Sequence, residues 1–183
     1  MNTQPVEPAP PLHYALARCS LGALLVARSP LGLCALALGD QPEALREALL
    51  RHRPQARPLA PSPEVARFLD RVQACIEAPA QPWPDELPLD LCGTPFQQAV
   101  WTQLRAIPPG QTLSYTALAS RLGRPRAVRA VAAACAANPV AVAVPCHRVL
   151  RQDGRLAGYR WGLARKQALL AREATGLPHA ATL

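Results

Sequence analysis

Long apolar runs are missing from this 183-residue chain. No run of roughly 18 to 20 uncharged apolar residues, the length that a membrane-spanning helix needs, exists, so no membrane partner is expected. The opening segment, MNTQPVEPAP, has neither a basic n-region nor an apolar h-region. A secretory signal is therefore not expected, and a cytoplasmic location is. The cysteines Cys19, Cys34, Cys75, Cys92, Cys135 and Cys146 include no C-x-x-C pair. That argues against a zinc knuckle or a redox dithiol, and it favours free thiols in a reducing compartment. Lysine is almost absent, Lys166 being the only one, and no internal repeat is found.

Acid is missing from one half. Residues 1–99 hold 8 arginines against 10 acids, whereas residues 100–183 hold 12 Arg or Lys against only Asp153 and Glu173. The overall charge of +8 thus hides a near-neutral half joined to a strongly basic one. Arginine-rich composition alone would raise both halves alike. The contrast points to a scaffold joined to a polyanion-binding half. Half of all residues are apolar, enough for a core in one domain or two small ones.

Residues 1–11 are proline-rich and expected to fray. HYALARCSLGALLVARSPLGLCALALGD reads as short strands punctuated at SLG and SPLG. PEALREALLRHRP and SPEVARFLDRVQACIEAP carry helical spacing, the second with Ser62 as cap and Pro63 in its first turn. Strands followed by helices describe an α/β unit. The proline- and acid-rich residues 78–92 read as a linker, which divides the chain into residues 1–91 and 92–183. GTPFQQAVWTQLRAI is a helix capped by Thr94 with a stripe of Phe96, Val100, Leu104 and Ile107. SYTALASRL, capped by Ser114, and AVRAVAAACAAN follow as helices. AVAVPCHRVL is expected as a strand, and LARKQALLAREATG as the last helix.

Helix, turn, helix across residues 114–137 fits a DNA-binding helix-turn-helix and equally an ordinary helical hairpin. Apart from Arg129, Ala127 to Ala137 contains only Ala, Val and Cys. Such a helix approaches a surface closely but lacks side chains that read base edges. That suits a sequence-tolerant grip in the minor groove with Arg129 inserted, or else a helix packed on all sides. Cys146 beside His147 is a nucleophile with a base, or an inert thiol in a core strand. On a strand the two side chains would face opposite ways, so direct contact needs a turn at Pro145 or a bridging water. Glu173, the only glutamate of the basic half, stands where it could orient His147 in a Cys–His–Glu relay, or pair with an arginine on the surface. Asn138 could cap the turn that carries Cys146, or simply end its helix.

PCHRV, preceded by an Asn-bearing turn and a small-residue helix and followed by GYRWG, resembles the O6-alkylguanine-DNA alkyltransferase family. The resemblance is strong over residues 92–174, in particular to the C-terminal module of the bacterial adaptive-response regulators. It is looser over YALARCSLGALLVA and LGLCALALGD. It implies an N-terminal α/β roll of ribonuclease H-like topology and a mostly helical C-terminal domain with a winged helix-turn-helix. It also implies stoichiometric transfer of a methyl or alkyl group from O6-alkylguanine, and from O4-methylthymine, in double-stranded DNA. A flipped nucleotide, a monomer and no cofactor belong to the same picture.

Residue by residue, the resemblance makes Cys146 the alkyl acceptor, His147 a base acting through water, and Glu173 its polarising partner. Tyr115 would donate to the departing guanine, Asn138 would be the hinge, and Arg129 would fill the emptied stack. Ala127, Val128, Ala130 and Ser114 would face DNA, and Tyr159, Val149 and Arg160 would line the base pocket. Zinc-binding relatives use two Cys and two His in the N-terminal domain. Cys19, Cys34, His13 and His52 do not fall in that pattern, so no metal is expected. No counterpart of the regulators' cysteine-rich metal domain is present in these residues, so methyl-phosphotriester sensing is not expected of them. Other readings of the same residues are a lesion sensor without repair, a helix-turn-helix regulator with a cognate site, and a cysteine hydrolase that turns over. Ala141 replaces a proline that packs on bulky benzyl groups in some relatives, and Arg160 and Trp161 replace smaller residues. Methyl lesions should therefore be preferred. O6-benzylguanine added before methylated DNA should leave methyl uptake largely intact at concentrations that silence a benzyl-sensitive relative.

Overall fold

The alternation of side chains along the first strands decides the architecture of the N-terminal half. In the computed structural model, which describes residues 12–175, β1 (His13–Cys19), β2 (Gly22–Ser29) and β3 (Gly32–Gly39) form an antiparallel meander. The short β4 (Arg57–Pro58) adds parallel to β1, giving the order β3-β2-β1-β4. Successive residues of β2 point to opposite faces. Leu25 and Ala27 pack with Leu45 and Leu49 of α1 (Pro42–His52), while Leu24 and Val26 join the main core with Val72 and Ile76 of α2 (Pro63–Glu77). Both faces are covered, which is why β2 reads as a continuous apolar run. The expected Ser62 cap is present, its hydroxyl accepting from the Val65 amide at 3.2 Å. The expected proline-rich 1–11 lies outside the described residues.

Residues 78–92 are strapped to the sheet. The Leu33 amide donates to the Pro88 carbonyl at 2.7 Å and the Asp90 amide to the Leu33 carbonyl at 2.9 Å. The Trp83 indole donates to the Leu87 carbonyl at 2.8 Å, and Leu87 is buried. The prolines of this stretch suppress ladder pairing except at these few groups.

The C-terminal half is helical. α3 (Pro95–Arg105) opens with a reciprocal capping box between Thr94 and Gln97. Of its expected stripe, Val100, Leu104 and Ile107 are buried and Phe96 lies at the edge. Trp101 is buried too, its indole donating to the Ala134 carbonyl at 2.9 Å, which ties α3 to α5 (Val128–Ala136). α4 (Tyr115–Arg121) is capped by Ser114, which accepts from the Ala117 amide at 3.0 Å. With α5 it forms the helix-turn-helix, turning at Gly123 with φ 67°. β5 (Leu113–Ser114) pairs in parallel with β6 (Val149–Leu150) beside it. α6 (Leu163–Thr175) closes the fold. Among the described residues no helix is long and apolar enough to cross a membrane.

AVAVPCHRVL is not the strand expected. Ala141–Val144 is a turn, Cys146–Arg148 a single 3₁₀ turn, and only Val149–Leu150 is extended. The Asn138 side chain accepts from the Val140 amide at 2.9 Å and donates to the Val144 carbonyl at 2.7 Å. It closes the loop on itself and competes successfully with a ladder. Val142 takes φ 66°, rare for a β-branched residue. The segment is buried on all sides, so its hydrophobicity carries no period from which its shape can be read.

The strap depends on Gly32, whose φ is 150° and where an added Cβ would sit 2.3 Å from the Pro88 carbonyl oxygen. Gly32→Ala should cost about 1–3 kcal/mol, read as a lowered denaturant midpoint at unchanged slope.

Candidate active site

Four pieces of chain meet around Cys146 and the Glu173 carboxylate. The 3₁₀ turn carries Cys146, His147 and Arg148, the end of α5 leads to Asn138, the turn after α3 supplies Gly110, and α6 supplies Glu173 and Lys166. Sγ of Cys146 is buried and accepts a hydrogen bond from Asn138 Nδ2 at 3.2 Å. Burial pushes the thiol up to about 11, an effect that the Asn138 bond and the Lys166 charge only moderate.

The Glu173 carboxylate is fully buried. It takes His147 Nε2 at 2.7 Å, Arg148 Nε at 3.0 and 3.1 Å, Arg148 Nη2 at 2.8 Å and the Gly110 amide at 3.1 Å. Burial alone would raise its pKa. The His147 and Arg148 hydrogen bonds outweigh that and hold it at about 2. An ionised carboxylate only accepts, so the shared proton sits on Nε2 and the Nδ1 lone pair is free. Nδ1 is buried and has no hydrogen-bond partner among the described residues. Burial also lowers the pKa of His147, so the imidazole rests neutral. The strand argument against direct Cys146–His147 contact holds in altered form. Consecutive side chains of a 3₁₀ turn splay apart, and no hydrogen bond joins Sγ to the ring among the described residues.

Tyr115 opens α4 half-buried. Burial, with the Cys135 and Cys146 thiols nearby, pushes its phenol up to about 12. The Tyr159 ring stands edge-on to Trp161, centroids 5.1 Å apart, and its buried hydroxyl has no hydrogen-bond partner among the described residues. Burial, with Cys146 and Glu173 nearby, raises that phenol as well. Val149 is sealed on β6, and Arg160 reaches the Asn138 carbonyl at 3.5 Å. Away from the sulfur, α5 presents Arg129 and Ala130 to solvent, with Val128 and Ala127 half-buried. The Ser114 hydroxyl is engaged in its cap.

Two residues of the site were not singled out from sequence. Arg148 adds bonds to the Ile107 carbonyl at 2.5 Å and the Pro79 carbonyl at 3.4 Å. Lys166 is sealed, its ammonium donating to the Val149 carbonyl at 2.6 Å. The signal for Lys166 was its rarity: one lysine, two helical turns before Glu173, in a chain that otherwise uses arginine.

Residues 12–71 match the ribonuclease-like domain of 6-O-methylguanine DNA methyltransferase and residues 95–175 match its DNA binding domain. A Mycobacterium tuberculosis OGT, whose crystal structure was determined in complex with DNA, superposes with a TM-score of 0.74 at 36% identity, over 91% of this chain and 96% of that one. The chain belongs to the 6-O-methylguanine DNA methyltransferase family. The bifunctional transcriptional activator/DNA repair enzyme Ada of Escherichia coli is 51% identical over 164 residues, 89% of this chain and 46% of Ada. A methylated-DNA–protein-cysteine methyltransferase of Mycolicibacterium paratuberculosis is 49% identical over 98 residues, 54% of this chain and 59% of that protein. The chain spans about half the length of these curated relatives.

In this methyltransferase-family chain, Glu173→Gln should cost about 3–5 kcal/mol, because it leaves Arg148 buried without its counter-charge. The pH dependence has a definite sign. His147 titrates below its ordinary 6.5 and Glu173 near 2 when folded, against an ordinary 4.5. Unfolding takes up protons at both, so stability is full above pH 6.5 and falls on acidification, with the Glu173 share lost between 4.5 and 2. Chemical denaturation across pH should show this slope, and Glu173→Gln should flatten its acid end.

Proposed function

We propose that this chain repairs DNA by moving the alkyl group of O6-alkylguanine, and of O4-methylthymine, onto Cys146, once per chain. The observation that carries the reading is the pairing of a neutral His147, its Nδ1 lone pair unshared among the described residues and its Nε2–H anchored to Glu173, with a thiol in the preceding position of the same turn.

The chemistry runs as follows. With its pKa raised to about 11, Cys146 rests as a thiol, so its proton must leave as the bond forms. His147 Nδ1 takes that proton through one bridging water. The Sγ–C bond forms as the C–O6 bond breaks, and the electron pair of the broken bond stays on guanine. Tyr115, protonated at neutral pH, gives guanine its proton, and solvent returns a proton from the imidazolium to the tyrosinate. The product is a thioether. No residue of the site offers a route to break it, so each chain acts once.

A buried sulfur requires the base to leave the duplex, and the helix-turn-helix supports that step. The exposed side of α5 is smooth apart from Arg129, which suits insertion into the minor groove beside an extruded nucleotide and does not suit reading of bases. Tyr159 and Arg160 lie near Cys146 and would wall the base pocket, with Val149 of the adjoining β6 behind them.

Intact-mass measurement after incubation with O6-methylguanine duplex tests the proposal. A gain of about 14 Da in wild type, stopping at one per chain and absent in Cys146→Ala, is expected. Release of guanine DNA in excess of protein, or methyl uptake by Cys146→Ala, would overturn it.

A further inference from the structure

α6 carries two parallel stripes. Residues seven apart on an α-helix fall within about 20° of each other, and adjacent residues lie about 100° apart. Lys166 and Glu173 therefore form one stripe and Arg165 and Arg172 the next. The first stripe is sealed and holds the site, Lys166 through the Val149 carbonyl and Glu173 through His147, Arg148 and Gly110.

The second stripe holds the sheet half. Arg165 donates from Nε to the Leu21 carbonyl at 2.7 Å and from Nη2 to Asp40 at 2.5 Å, while its Nη1 returns to the Trp161 carbonyl at 2.9 Å. Arg172 donates from Nη1 to the Ile76 carbonyl and to Glu77, each at 3.1 Å, and from Nη2 to the Ser20 hydroxyl at 2.6 Å. Ser20 is itself bound to Glu77 through both its amide and its hydroxyl. The β1–β2 turn, the residue after β3 and the end of α2 thus converge on one face of α6. Both arginine side chains are mostly buried, at 16% and 27% exposure, and three of their six bonds go to carbonyls fixed in the backbone. The Asp40 and Glu77 carboxylates are themselves exposed, so the grip rests on the carbonyl bonds more than on the ion pairs.

We propose that Arg165 and Arg172 are positioning residues for alkyl transfer. By gripping the sheet half they set the axial placement and rotation of α6, and with them the angle at which Glu173 holds His147. The N-terminal half then tunes the reactivity of Cys146 without touching the base. The inference rests on the function proposed above.

Three variants test it: Arg165→Ala/Arg172→Ala, Arg172→Lys, and Glu77→Gln, which removes a clamp partner without altering α6. Each is measured for duplex affinity, for methyl-transfer rate at saturating O6-methylguanine DNA, and for the His147 imidazole 15N signals. The double variant should keep affinity within about two-fold and lose about 10- to 100-fold in saturated rate, because small misplacements of a reacting group are costly. Its imidazole signals should shift or broaden. Glu77→Gln should lose rate in the same sense by a smaller factor, and Arg172→Lys should lie nearer wild type. A folded double variant with wild-type rate and imidazole signals overturns the inference. So does weakened affinity at unchanged saturated rate, which would make the arginines DNA contacts. If the double variant does not fold, Glu77→Gln at wild-type rate overturns it alone. A wild-type chain that takes up no methyl defeats the proposed function instead, and the imidazole signals of the variants still decide whether the clamp reaches His147.

Discussion

A carboxylate sealed from water is the constraint on which this structure turns. Removing Glu173 from solvent is costly, and the cost is met only if every acceptor site on the carboxylate is filled at once. Filling them recruits His147 and Arg148 from one turn and the Gly110 amide from another. Each partner is then committed. His147 must carry its proton on Nε2. Arg148 has donors left over, and they reach the carbonyls of Ile107 and Pro79, fastening the turn after α3 and the start of the strap to the same centre. One buried charge thereby orders four distant parts of the sequence.

The thiol beside it sits under opposing influences. Burial disfavours the thiolate, and Asn138 and Lys166 favour it without prevailing. A thiol that stays protonated at rest is protected from adventitious oxidation and alkylation. For a residue proposed to act once, that protection matters more than resting nucleophilicity, since a spoiled sulfur is a spent chain. The geometry supplies the remedy locally. The base becomes useful only when an electrophile is present to draw the proton off, and it is kept neutral and singly coordinated until then.

The legibility of these features from sequence was uneven for physical reasons. The strands and helices of both halves were readable because caps such as Ser62, Thr94 and Ser114 and turns at SLG and SPLG are local signals. Cys146, His147, Asn138 and Glu173 stood out by residue type and by resemblance. The path of AVAVPCHRVL did not, because its shape is imposed by the Asn138 side chain reaching back over the loop, and a uniformly buried run has no face to betray it. Arg148 and Lys166 were missed because a buried cation is defined by carbonyls far away in sequence, at Ile107, Pro79 and Val149.

Burial of cations also redraws the charge asymmetry. The basic half holds 12 cationic side chains, and counted from sequence they all appear available to a polyanion. The fold withdraws Arg148 and Lys166 into the site and turns Arg165 and Arg172 towards the sheet half. The remaining eight, Arg105, Arg121, Arg124, Arg126, Arg129, Arg151, Arg155 and Arg160, are exposed, and Arg155 is paired with Asp153. Four of the eight, Arg121 to Arg129, fall on the end of α4, the turn and the start of α5. The surplus of positive charge is thus smaller than composition implies and more concentrated, centred on the helix whose exposed side chains carry almost no other chemistry. Net charge locates the half that meets an anion, but burial decides which of its charges can do so.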